Sequence, residues 1–469
     1  MGKAFRADNL KQDLLLPPSL HDWLPEDHLA HFVAEVVESL DLGAIYASYE
    51  EGDGRGQAAY HPAMMLRVLL YGYCQGICSS RQIEARTYED VAFRYLAAGE
   101  HPDHSSWAEY RRRHLTVMVG LFLQGLQMCA KAGLVKLGHV ALDGSKLQAN
   151  ASKHKAMSYG RMEATEQQLR AEVEELLRQA EAEDAAEDQQ YGKGQRGDKL
   201  PAELARRESR IAKIRAAKAA LEAEARQKAE AEKAAAEAKI AARRAQEAST
   251  GKKAAGPEPA GPEPAQAVPL PSAQRNFTDP ESRIMPDGGH KGSFVQGYNV
   301  QIAVDGEAQV IVAAAVTQAT NDKQQLAPML AQVEQNLGAK PAVASADNGY
   351  WSEAQVEDPR IEGIDLYIAA GRQKRGESSE SANPEGAAGS GPKGARERMR
   401  EKLKTPAGQE VYRMRKAIVE PVFGQIKHWR GFRQFCLRGL KKVQAEWNLI
   451  CLTHNLLKLF RSGRVLQIG

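Results

Sequence analysis

A chain of 469 residues with 43% hydrophobic content is long enough for two or three domains and has ample apolar material for their cores. Its 63 Lys and Arg against 60 Asp and Glu give a net charge of +3 that conceals strong local segregation. No apolar run is long enough for a membrane span, the opening Met1-Gly2-Lys3-Ala4-Phe5-Arg6 lacks the apolar core of a signal peptide, and Cys74, Cys78, Cys129, Cys436 and Cys451 lie in helical patterns that suit a reducing cytosol.

Residues 1 to about 135 read as helical. A helix is predicted from Leu24 through Leu40 with Glu26 or Asp27 near its amino end, and another from His61-Pro62, apolar almost all round and therefore the core of this region. Ser79 opens a third, with an exposed face. Ser105 is expected to cap a fourth, on which Arg111, Arg112 and Arg113 follow as in the second helix of a helix-turn-helix reader. Three adjacent arginines cannot share one face, so phosphate contact is expected rather than base reading; a bundle packed on the rest of the chain explains the pattern equally well. Cys74, Cys78, His101 and His104 fit no common zinc spacing.

His139 to Leu142 is a short apolar run that ends in Asp143, Gly144 and Ser145. An insertion follows. Met162, Leu169, Val173, Leu176 and Ala180 form one narrow heptad-like stripe and Leu204, Ile211, Ile214 and Leu221 another, the pattern of a two-helix seam. An antiparallel hairpin is predicted over 161–250, turning between Tyr191 and Pro201. Beyond residue 222 it should thin to a lone exposed helix, then enter a Pro-rich linker over 251–272 that is neither helix nor strand.

Asn276, Asp279 and Arg283 mark a polar turn of helix-entry or Asx type. Two alternating runs, Tyr298 to Val304 and Gln309 to Thr317, meet at Asp305-Gly306, a hairpin signal. A helix is expected from Asp322 to Gly338. Ala342 to Ala346 then repeats the earlier construction, an apolar run ending in Asp347, Asn348 and Gly349, followed by a short helix from Trp351. Gly363 to Ala370 is the last strand, 376–394 a polar loop, and Glu446 to Phe460 a closing amphipathic helix. Asp305, Asp322 and Asp365 fall at turns, helix starts or mid-strand and are set aside.

From Lys393 to Lys442 there are 15 Lys or Arg against four Glu and no Asp, with Tyr412, Phe423, Trp429, Phe432 and Phe435 interleaved. That is the footprint of a surface that meets a polyanion; an amphipathic core helix with a solvated basic face is the plainer alternative. Glu420 stands alone there, with Lys427 two turns on and so on the same face. Pro421 should kink the helix or set its start. Two strands and a helix would deliver Asp143, Asp347 and Glu420 to one point, and three carboxylates suit a pair of Mg²⁺ ions.

From about residue 10 to the C-terminus, insertion apart, the chain resembles the insertion-sequence transposases of the DDE class. Asp143, Asp347 and Glu420 match the family's acids. Glu420 and Lys427 meet the end of its Tyr-Arg-Glu-Lys signature, while Tyr412 and Arg415 stand one residue further from the Glu than that signature asks. The resemblance implies an α/β RNase H-like catalytic domain, a five-stranded mixed sheet with helices on both faces, over 136–160 and 273–469. It also implies an all-helical DNA-binding domain over 1–135. The activity implied is Mg²⁺-dependent cleavage and strand transfer of DNA at terminal inverted repeats, with two ions that Mn²⁺ can replace. Asp143, Asp347 and Glu420 would be catalytic and metal-binding, and Lys427, Arg415, Tyr412, Arg111, Arg112, Arg113, Arg430 and Arg433 would contact DNA. The partners implied are double-stranded DNA, at the element ends and the target, and a second copy of the chain, with no membrane and a cytoplasmic, nucleoid-associated location. An inactive DNA-binding relic and an architectural coiled-coil protein are the competing readings.

Overall fold

The computed structural model describes residues 19–50, 58–191, 202–250, 258, 260–287, 292–371 and 394–464. The chain divides into two compact units, one of residues 1–147, 299–437 and 441–469, the other of 148–298 and 438–440.

The first unit opens with seven helices: α1 (Leu29–Ser39), α2 (Gly43–Glu50), α3 (Pro62–Cys74), α4 (Ser80–Glu89), α5 (Val91–Leu96), α6 (His104–Arg113) and α7 (Leu115–Lys131). α1 begins at Leu29, not Leu24, because His28 caps it: Nδ1 accepts from the Ala30 amide at 3.1 Å. Asp103, not Ser105, caps α6, accepting from the Ser106 amide at 2.7 Å. α3 carries Pro62 in its first turn, where the missing N–H costs nothing, and buries 11 of its 13 residues against α1 and α5.

Strand β1 (His139–Gln148) follows, and the chain then enters the second unit: β2 (Ala156–Ser158), α8 (Tyr159–Tyr191), α9 (Ala202–Thr250), β3 (Gln274–Asn276) and β4 (Arg283–Pro286). β2 and β3 form an antiparallel ribbon, Ala156 opposite Asn276 and Ser158 opposite Gln274, which brings the two ends of the insertion together. α8 and α9 pack along Met162, Leu169, Ile211, Ile214 and Leu221, with Val173 half-buried beside them. Glu166 anchors the seam to Arg170, Arg215 and Lys218; these hydrogen bonds, Arg215 first, lower its carboxyl to about 2. The expected turn over 192–201 and the side chains of Ala180 and Leu204 lie outside the described residues.

The distal part of α9 is not the lone helix expected. Lys233 pairs with Glu263 at 2.9 Å, and the Pro-rich segment makes a 3₁₀ turn over Pro264–Gln266 against α9, so it is not wholly without helical structure. Asn276 makes an Asx turn, its Oδ1 accepting from the Thr278 amide at 2.8 Å, and Arg283 pairs with Glu224.

Strand β5 (Phe294–Asp305) carries the chain back into the first unit, followed by β6 (Ile311–Thr317), α10 (Leu326–Leu337), β7 (Val343–Ala346), α11 (Glu353–Val356), β8 (Asp365–Ile368), α12 (Ala395–Lys404), α13 (Pro406–Gly424) and α14 (Leu440–Arg461). The main sheet runs β4-β5-β1-β7-β8 with β6 also on β5. β5 and β6 are antiparallel; β1, β7 and β8 are parallel. This is a mixed sheet with helices, joined to a helical amino-terminal region. Of the expected loop over 376–394, residues 376–393 lie outside the described residues.

Two helices depart from expectation. α14 is not amphipathic: 14 of its 22 residues are buried, including Trp447, Leu452 and Asn455. α13 neither starts nor breaks at Pro421, which lies inside it. The carbonyl that Pro421 leaves without an amide, that of Ala417, accepts from Gln309 Nε2 at 2.9 Å instead. Irregularity comes one turn later, where Gln425–Trp429 is a π-helical turn.

Candidate active site

Parallel pairing sets the first two acids side by side. His139 faces Val343, Val140 faces Ala344 and Ala141 faces Ser345. Continuing that offset of 204 by two residues puts Asp143 level with Asp347, on strands about 4.8 Å apart. Burial first, then the Asp347 charge, push the Asp143 carboxyl up to about 6; a hydrogen bond from the Gly144 amide (2.9 Å) and the Arg415 charge oppose the rise, and Asp322 adds to it. Asp347 ends β7 and caps the 3₁₀ turn Asn348–Tyr350, accepting from the Gly349 amide at 2.8 Å.

Two side chains of α13 reach this pair. Arg415 is buried and bears electrostatically on Asp143 and Tyr350, and its Nε is a buried donor with no partner among the described residues. Tyr412 lies under the Arg415 guanidinium, 5.7 Å from it to the ring centre, and senses Asp347. Glu420 is exposed on the same helix. Its face is followed by Lys427, whose Nζ donates to Ser145 Oγ and to the Lys146 carbonyl (2.9 Å), just past Asp143 on β1.

The basic residues divide sharply. Arg430 is buried, donating to Thr453 Oγ1 (2.8 Å) and the Ile450 carbonyl (3.1 Å), and burial lowers its guanidinium to about 10. Arg111 is buried too, donating to the Cys78 carbonyl at 2.6 Å and to Ser80 Oγ. Both hold the core together, so the expectation that they contact DNA is corrected: a charge spent on interior carbonyls cannot reach a phosphate. Arg112 remains exposed, paired with Glu109, while Arg113 stacks on Tyr49 at 4.3 Å. Arg433 is exposed, holding His428 Nδ1 at 2.9 Å. Among the aromatics, Phe423, Phe432 and Phe435 are buried, whereas Trp429 at the π turn is 83% exposed.

Sequence reasoning missed Asp322. It lies in the loop between β6 and α10 and accepts hydrogen bonds from Asn299 Nδ2 (2.6 Å) and Gln301 Nε2 (2.7 Å) on β5. Asn299 and Gln301 are fully buried on one face of a strand, and two amides so placed demand a polar partner. That demand was the available signal.

Cys74 and the two histidines are not gathered into a metal site: Cys74 faces the Thr453 carbonyl, His101 meets Thr87 and His104 meets Glu84. Cys78, Cys436 and Glu446 do form a group whose ligand atoms lie within 4.8 Å of one another. Glu446 there accepts from the amides of Cys436 and Leu437, fixing the strap after the π turn.

Two comparisons bear on what this arrangement is. Residues 18–113 match the family described as a transposase domain (DUF772), and residues 390–460 match the family described as a transposase DDE domain. Both matches are to transposase families, and in this order they support an insertion-sequence transposase of the DDE type. The second match spans Tyr412, Arg415, Glu420 and Lys427 but neither Asp143 nor Asp347. No curated protein and no solved structure shows significant similarity to the chain. No helix among the described residues is long and apolar enough to cross a membrane.

Proposed function

We propose that the chain cleaves and joins DNA at the inverted repeats of its own element, using a divalent-metal site built on an RNase H-like domain. The observation that carries this is the level placement of Asp143 and Asp347 on adjacent parallel strands, with Arg415 of α13 bearing on the same pair. Within the six-stranded sheet, the path β6-β5-β1-β7-β8, with β5 and β6 antiparallel and β1, β7 and β8 parallel, supports the RNase H-like assignment. The donor set fits Mg²⁺ or Mn²⁺: hard carboxylate oxygens, one of them held near neutral by burial and a like charge, the state that a cation relieves. When bound, a pair of such ions supplies an activated water or 3′-hydroxyl and stabilises the leaving oxygen.

The chain's own residues supply the rest. Asp143, Asp347 and Glu420 would hold the ions. Arg415, with a donor to spare, clamps a phosphate, and Tyr412 stacks on a terminal nucleotide. Lys427 sets a point charge beside the scissile phosphate. Arg112, Arg113 and Arg433 extend the backbone contact, and Trp429 adds an exposed ring beside Lys427. A homodimer across two ends, acting at the nucleoid, completes the reading; the helical region before β1 is its end-binding part.

Asp143→Asn, Asp347→Asn and Glu420→Gln keep shape and remove charge. Each should reduce Mg²⁺-dependent nicking of terminal-repeat DNA by at least about a thousandfold while leaving binding by gel shift unchanged. Near-normal nicking by any one variant removes that residue from the site.

A further inference from the structure

Asp322 is explained neither by the three acids nor by the packing of its loop. A Cβ built on Gly144 would lie 2.8 Å from Asp322 Oδ1, and one built on Gly349 would lie 3.5 Å from Asp322 Oδ2 and 2.9 Å from Asp347 Oδ1. The carboxylate thus sits in the gap between the two acid-bearing turns, one oxygen toward each. The glycines that follow Asp143 and Asp347 are what make that gap. Oδ1 is fixed by the two buried amides of Asn299 and Gln301, and Gln301 Oε1 in turn accepts from the Tyr350 hydroxyl, which ends the turn capped by Asp347. Such an outer layer of donors is what orients a carboxylate that ligates a cation.

The electrostatics agree with the geometry. Asp143, Asp347 and Asp322 all bear on Lys146 and on Tyr350. Three carboxylates at one half-buried point repel one another, and Lys146 and Arg415 supply only two positive charges. Arg415, 6% exposed and bearing on Asp143, has a buried Nε without a partner among the described residues, a donor open to an anion such as a phosphate held by the same cation. The three carboxylates lie further apart than the 4.8 Å spacing of Cys78, Cys436 and Glu446, so a cation shared among them would draw them together.

We propose that Asp322 is a further metal-ligating carboxylate, sharing a divalent cation with Asp143 and Asp347. This rests on the metal-dependent reading of the site and adds a fourth acid to it, delivered by the loop after β6. In a purely structural role, Asp322 would only tie that loop to β5.

The full-length protein, free of DNA, is titrated with Mn²⁺ by calorimetry and by the loss of the free-ion paramagnetic resonance signal. Asp322→Asn should weaken Mn²⁺ binding by about tenfold or more, as should Asp143→Asn, with the control Asp365→Asn unchanged. Asp322→Cys then separates ligation from packing: it should lose Mg²⁺-dependent nicking, regain it with Mn²⁺ or Cd²⁺, and give a cadmium–thiolate absorption band. If Asp322→Asn does not fold, the cadmium band of Asp322→Cys decides alone. A band in Asp143→Cys but not in Asp322→Cys, or wild-type Mn²⁺ affinity in Asp322→Asn, overturns the proposal and leaves the metal site standing. Wild-type protein that binds no Mn²⁺, with or without terminal-repeat DNA, brings down the metal reading and Asp322 with it.

Discussion

Among individual residues, the acceptors a cation already holds separate those that tie the core from those left for a ligand: Arg415 and Arg430 are equally buried, but only Arg430 is given to interior acceptors. Spacing cannot make that distinction. Arg430 and Trp429 are neighbours in a basic, aromatic stretch, yet Arg430 is buried on carbonyls and Trp429 stands 83% exposed. Trp429→Ala should therefore leave the melting temperature unchanged and weaken binding to terminal-repeat DNA. The loss expected from one stacked base is about 1–3 kcal/mol, read as roughly a 5- to 150-fold rise in Kd. An unchanged Kd would show the ring to be idle. His454 offers a test of pH response. It is buried with Nε2 at 3.0 Å from the Gln309 carbonyl, and burial, reinforced by Arg430, lowers its imidazole to about 3. The unfolded chain takes up that proton near the ordinary value of about 6.5 and the folded chain does not. Stability from this group is thus complete above about pH 6.5 and falls as pH drops toward 3, by about 1.4 kcal/mol per unit within the window. Urea unfolding at pH 7.5 and 5.5 should show this loss in wild type, and His454→Gln should lack it.

At the scale of elements, the sequence was most legible where one local rule acted alone. β1 and β7 announced themselves as apolar runs ending in Asp, and the seam of α8 and α9 as two heptad stripes. It was least legible where a distant partner decided. Pro421 should have broken α13, but Gln309, 112 positions earlier, takes the carbonyl that proline frees. Glu446 to Phe460 was expected to be amphipathic. In the fold Glu446 binds backbone amides and Asn455 binds both ends of Ile311, so polarity there marks satisfied burial. Asp322 was set aside for the same reason, since its donors come from another strand. The insertion itself yields a prediction. Its ends meet at the β2–β3 ribbon, where the Gly160 amide donates to the Pro271 carbonyl at 3.1 Å. Replacing 161–270 by a short Gly-containing turn should leave a cooperatively folded protein with metal-dependent nicking intact. Failure to fold would rule out an independent hairpin; loss of paired-end joining alone would mark it as a DNA- or dimer-contacting arm.

For the first unit as a whole, the amino-terminal helices and the sheet share one core. Gly76, just past α3, has φ +80°, and a Cβ there would fall 2.2 Å from the Arg430 carbonyl oxygen after the π turn. Gly76→Ala meets both a left-handed backbone and a backbone clash, so a loss of about 2–4 kcal/mol is expected in thermal unfolding. A loss below about 1 kcal/mol would mean that the two segments separate easily.

The same core has an order of assembly. Of the described helices α14 comes last in the chain, yet the first helices close around it: Phe32 packs against Phe460 with ring centres 5.3 Å apart, the Cys74 thiol faces the Thr453 carbonyl, and Gly125 makes room for Leu452. A ribosome adds about 5–20 residues per second, so the early helices wait on the order of half a minute for the segment that completes them. A nascent chain, or one truncated before residue 440, therefore holds its basic surfaces without the buried scaffold that aligns them. On the proposed function, competence to act on DNA waits for α14 to emerge and fill that scaffold.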